Sequence, residues 1–149
     1  MSVRSHGEDA VQATIDNELC LSVPIDAPSL SDLRWLIATF LDSAGVATGM
    51  VDDILIALHE AVVNALRHSG AREAVAIRVK VGPARVIVEV KDQGSGIDSR
   101  VVVPPRAAGL SAEGGRGLFM IWSLMSSVQV AHHTGTHLVM IKELFPKGS

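Results

Sequence analysis

Two runs of alternating character, AVAIRVKV (Ala74–Val81) and RVIVEVK (Arg85–Lys91), stand either side of the turn residues Gly82, Pro83 and Ala84. Side chains of a strand point alternately to its two faces, so this pattern predicts a hairpin with one apolar face to bury. A sheet with one apolar face needs a second layer, and the remaining chain has the periodicity to supply it.

An earlier β-prone segment, LCLSVPI (Leu19–Ile25), predicts a first strand whose end is marked by Pro24. A helix follows, with Ser29 as N-cap, Asp32 three residues on, and Leu33, Leu36, Ile37, Phe40 and Leu41 at helical spacing before Gly45. A second helix is predicted from about Met50 to His68, opened by Thr48 and the acids Asp52 and Asp53 and closed by Arg67, His68 and Gly70. After the hairpin, SRVVVPPRAAGLSAEGGRG reads as a long connecting loop. Helical character resumes at Leu118 in LFMIWSLMSS, and VQVAHH and HLVMIKELF, linked by Thr134 and Gly135, close the chain as strands. The predicted fold is α/β (α+β): a two-layer sandwich of a mixed, mostly antiparallel sheet with helices on one face.

Size and charge narrow the function classes. At 149 residues and 48% hydrophobic, the chain suits one buried core. Residues 1–17 are expected as a polar tail and 18–146 as the domain. The longest apolar runs, such as GLFMIW, fall short of the roughly 18 residues of a membrane span. The first residues carry acids and no apolar stretch, so no secretion signal is read and a cytoplasmic, membrane-free protein is expected. The lone cysteine, Cys20, lies in an apolar segment and is expected to pack as a small hydrophobe. A net charge of −3 without Lys/Arg clusters, 3% aromatic residues and no Tyr argue against a nucleic-acid partner.

The chemistry-bearing residues begin with ALHEAVVNALRHSG (Ala57–Gly70). On a helical wheel, Val51, Ile54, Leu55, Leu58, Ala61, Val62, Ala65 and Leu66 form a core stripe, with Glu60 and Asn64 nearly opposite it among Ile56, Ala57 and Val63. An acid and an amide one turn apart in such company suggest a face covered by a loop or a ligand. The zinc motif H-E-x-x-H fails at Val63, which leaves His59 a surface or packing residue and His68 a residue favoured by the helix C-terminus. Further on, KDQGSGID places Asp92 at a strand exit beside Gly94 and Gly96. This is an ordinary turn, or a carboxylate aimed at a flat ligand. EGGRGLFMI places Gly114, Gly115 and Gly117 around Arg116 before a helix, which is either a hinge or a phosphate cradle of backbone N–H groups. Neither the P-loop nor the dinucleotide fingerprint is present.

Taken in order, E-x-x-x-N on a helix, D-x-G-x-G after a strand, G-x-G opening a helix and Gly135-Thr136 before a last strand resemble the GHKL ATPase superfamily. Within it, the short chain and HEAVVNALRHSG are most similar to anti-sigma-factor serine kinases of the RsbW and SpoIIAB type. The resemblance implies a Bergerat fold binding ATP and Mg²⁺. Asn64 would hold the metal, Glu60 would serve as general base toward a protein serine or threonine, and Asp92 would read the adenine amine. Gly94 and Gly96 would admit the base, Thr136 would assist, and Gly115, Arg116, Gly117 and Leu118 would close on the phosphates with the preceding loop as a lid. The partners implied are an anti-sigma-factor antagonist as substrate, a sigma factor and a second copy of the chain. One departure stands out: Glu113 and Gly114 occupy the place where the related pattern has an arginine before the glycines. If that arginine supports transfer, turnover is slow or absent. The alternatives are then a nucleotide-binding regulatory module working by partner exchange, or a detached histidine-kinase-like catalytic domain.

Overall fold

The computed structural model describes residues 17–24, 30–68, 74–92, 113–133 and 135–145. Among them the chain forms β1 (Glu18–Val23), α1 (Ser31–Ser43), α2 (Thr48–His68), β2 (Val75–Val81), β3 (Arg85–Lys91), α3 (Glu113–Leu124), β4 (Ser127–His133) and β5 (Gly135–Glu143). Ser29, Gly70, Gly94, Gly96 and the segment 99–112 lie outside the described residues, as does position 134 between β4 and β5.

The alternation of the hairpin becomes burial. Val75, Ile77, Val79 and Val81 of β2 and Val86, Val88 and Val90 of β3 are buried, while Ala76, Arg78, Lys80, Arg85 and Lys91 are exposed. The turn closes as its residues predict, with the Gly82 N–H donating to the Arg85 carbonyl at 2.9 Å. The strands form one sheet in the order β1-β2-β3-β5-β4. Every described pairing is antiparallel, in keeping with the expected mostly antiparallel sheet. The reason is topological. The one crossover that could set parallel strands side by side, β3–α3–β4, leaves a gap that β5 fills.

One sheet face carries the helices. Ile37 and Leu41 of α1, Ile54, Leu58 and Val62 of α2 and Ile121 of α3 pack into one core with Ile77, Val79, Val88 and Met140. Each such side chain contributes about 1.5–3 kcal/mol relative to exposure. The opposite face carries a chain of ion pairs: Arg78 pairs with Glu18 at 3.2 Å and with Glu89 at 3.9 Å, and Glu89 meets His137 at 2.8 Å. Cys20 also lies exposed on this face, 4.0 Å from the Glu18 carboxylate, so its expected role as a packed hydrophobe is corrected. The strand is at the sheet edge, and the inward positions belong to Leu19 and Val23.

Helix ends depart from expectation where local sequence signals compete. The N-cap of α1 is Leu30 and makes no side-chain capping bond, so the predicted Ser29 cap is displaced. Its C-terminus follows the prediction: Gly45 takes φ of 89°, its N–H donates to the Asp42 carbonyl and the Val46 N–H reaches back to the Leu41 carbonyl. Helix α2 starts at Thr48, two residues before the predicted Met50, with the Met50 and Val51 N–H groups bonded to the Ala47 carbonyl. Asp52 and Asp53 therefore sit beyond its first turn. Helix α3 starts at Glu113 and takes in the three glycines expected to precede it. Asn17, expected in the tail, is already tied down, its carbonyl accepting the Val81 N–H at 3.0 Å.

Helix α2 is the central one, packed against α1, α3 and the sheet. Burial on several sides changes the wheel. Ala57 is fully buried and Asn64 is 6% exposed, so Asn64 stands at the edge of the buried arc rather than opposite it. Ile56 is the residue left on the outer side.

Candidate functional site

Strand β3 ends at Lys91, and the next residue turns inward. The Asp92 N–H donates to the Thr136 carbonyl at 3.0 Å, and the Thr136 N–H donates to Asp92 Oδ1 at 3.4 Å. The pair thus extends the β3–β5 ladder by one step and uses the Asp92 carboxylate as part of it. Asp92 is 4% exposed and Thr136 3%. Together with Asn64 they are the three buried polar or charged residues among those described. Burying a polar group costs free energy unless it finds a partner, so such groups collect where function requires them.

The third of them reaches the same end of the molecule. At the opposite end, Lys142 of β5 contacts both Asp53 near the start of α2 and the carbonyl of Leu124, the last residue of α3. Helices α2 and α3 therefore run antiparallel. From Asp53 to Asn64, and from Leu124 back to Glu113, each helix spans about 16 Å at 1.5 Å per residue. That brings Asn64, the start of α3 and the Asp92–Thr136 step to one end of the sandwich. Glu60, half-buried, lies one turn before Asn64 on α2.

Each expected site residue can now be placed. Asp92 and Thr136 are joined by two hydrogen bonds, Asn64 is buried in the last two turns of α2, and Gly115 belongs to the first turn of α3, with Arg116 and Gly117 continuing that helical backbone. The first-turn N–H groups of a helix have no intrahelical partner, whereas Gly117 falls where its N–H is taken up within the helix. Gly114 and Gly115 are thus better placed than Gly117 to present N–H groups to an anion. Leu118 is 3% exposed and belongs to the core, where it anchors the start of α3. His59 sits 3.5 Å from the Arg34 guanidinium of α1 and serves the helix contact. The pairing of Asp53 with Lys142 has no counterpart in the sequence reading. On α2 itself, the spacing of Asp53, Ala57, Glu60 and Asn64 places all four on one stripe.

The arrangement offers a buried carboxylate acceptor between two strand ends, an amide oxygen and a helix start suited to negative charge. Residues 23–142 match the family described as the histidine kinase-like ATPase domain. The chain belongs to that family. Among individual proteins, this histidine kinase-like ATPase domain is similar to the serine-protein kinase RsbW of Listeria innocua, 27% identical over 145 residues that cover 91% of this chain and 92% of the relative. It is likewise similar to the serine-protein kinase RsbW of Bacillus subtilis, 28% identical over 134 residues covering 83% and 84%. A crystal structure of the RsbU and RsbW domains of a Mycobacterium tuberculosis protein shares the fold, with a TM-score of 0.64 at 20% identity. The match covers 85% of this chain and 32% of that longer one.

Proposed function

We propose that this ATPase-family domain is an ATP-dependent protein-serine/threonine kinase that acts as an anti-sigma factor. Its substrate would be a small antagonist protein, and in another state it would hold a sigma factor. The observation that supports the reading is the burial of three polar residues, Asn64, Asp92 and Thr136, with Asp92 and Thr136 joined at the ends of β3 and β5. The similarity to proteins named serine-protein kinase RsbW supports the choice of reaction.

In this reading Asp92 accepts a hydrogen bond from the exocyclic amine of adenine, with its second oxygen steadied by the Thr136 N–H. The N–H groups of Gly114 and Gly115 face the phosphates. Glu60 takes the proton of the substrate hydroxyl as its oxygen bonds to the γ-phosphorus and the bond to the β,γ-bridging oxygen breaks, releasing ADP. The donor set suits Mg²⁺. Asn64 offers an amide oxygen, and no group of three His, Cys, Asp or Glu side chains among the described residues could hold a metal alone. A magnesium ion here would be held by Asn64, phosphate oxygens and water, and when bound it would neutralise charge on the phosphates. We further propose a cytoplasmic homodimer; no helix among the described residues is long and apolar enough to cross a membrane.

Incubation with ATP, Mg²⁺ and antagonist proteins encoded beside this chain is expected to yield phosphate on a partner serine or threonine. Glu60→Gln should abolish transfer while ATP binding persists. A partner that binds tightly and never gains phosphate sinks the kinase reading. The Glu113-Gly114 departure favours one alternative, a nucleotide-dependent switch working by partner exchange. In that case Glu60→Gln leaves regulation unchanged.

A further inference from the structure

We propose that Lys142 is a positioning residue that sets the phosphate-facing end of the site from about 16 Å away, an inference that rests on the nucleotide-site reading above. Lys142 lies in register with Val86 on the helix-facing side of β5, in line with the buried Leu138 and Met140. Apolar residues fill that face elsewhere, and a lysine is seldom placed there without partners. Its side chain is 15% exposed, and Nζ donates to Asp53 Oδ2 at 3.0 Å and to the Leu124 carbonyl oxygen. A cation at that carbonyl also complements the negative end of the α3 dipole.

Three elements are thereby joined at one point. Asp53 stands on the same α2 stripe as Glu60 and Asn64, and Leu124 ends the helix whose other end carries Gly114 and Gly115. Sliding α3 along α2 would move those glycine N–H groups relative to both Asn64 and Glu60. The brace opposes that slide. The adenine-facing pair is built differently, since Asp92 and Thr136 continue the β3–β5 ladder. Loss of the brace should therefore separate the two halves of the site, loosening the grip on phosphates while leaving the grip on the base intact.

Adenosine and a non-hydrolysable ATP analogue with Mg²⁺, titrated calorimetrically into the full chain and its variants, distinguish the possibilities. In Asp53→Asn and Lys142→Met, affinity for the analogue should fall about tenfold, the scale expected of a small displacement of positioned groups, while adenosine affinity is unchanged. Lys142→Arg, which keeps the charge, should recover part of the loss. Equal falls for both ligands, or no change in the ratio of the two affinities, overturn the inference. Should Lys142→Met fail to fold, the half-exposed Asp53 position decides alone. If the unaltered chain binds neither ligand, the nucleotide-site reading falls and this inference with it, whereas an unchanged ratio in the variants removes this inference only.

Discussion

The carboxylate of Asp92 accepts the Thr136 N–H with one oxygen, and in the proposed reading it also accepts from a ligand at the strand ends. Asp92→Ala is expected to weaken ATP binding by about tenfold or more, since a buried donor on the ligand loses its acceptor. Titration calorimetry measures this, and parental affinity in the variant contradicts the assigned role. A second residue carries an opposite expectation. The indole N–H of Trp122 is buried without a hydrogen-bond partner among the described residues, so Trp122→Phe should leave stability unchanged or raise it by about 1 kcal/mol in a urea melt. At this scale the motif order singled out Asn64, Asp92 and Thr136, and the structure buries all three. The position of Asn64 was not legible, because a wheel assigns one buried face and α2 is packed by neighbours on several sides.

Elements were legible where two signals agreed. The end of α1 combined a broken apolar period with Gly45, and the structure places the glycine in a left-handed conformation there. Open space surrounds a Cβ added at Gly45, so Gly45→Ala would cost only its backbone strain, about 1–2 kcal/mol, and a denaturant melt should show a loss of that size. One turn earlier, Leu41 is fully buried, and Leu41→Ala should cost about 2–5 kcal/mol by the same measurement. The start of α3 was illegible for a physical reason. Glycine has poor helix propensity, so the run Glu113 to Gly117 reads as loop until the packing of Leu118 and Ile121 supplies the energy to extend the helix over it.

For the whole molecule, the alternating strands made the sheet and its single helix layer readable, whereas the insertion of β5 between β3 and β4 depends on long-range pairing that no local pattern records. That insertion is also what places Thr136 beside Asp92, so fold and site share the feature hardest to foresee. Ligand binding to the folded state alone should stabilise it. With Mg²⁺ and ATP at about 100 times the dissociation constant, the gain is about 2.7 kcal/mol, visible as a raised melting temperature. The most direct test compares two nucleotides. Guanine presents a carbonyl where adenine presents an amine, and a carbonyl set against the Asp92 carboxylate leaves both acceptors unpaired. Calorimetric titration of the intact chain with Mg²⁺ present should show ATP bound at one site per chain and GTP not bound; equal binding of both, or of neither, would contradict the account.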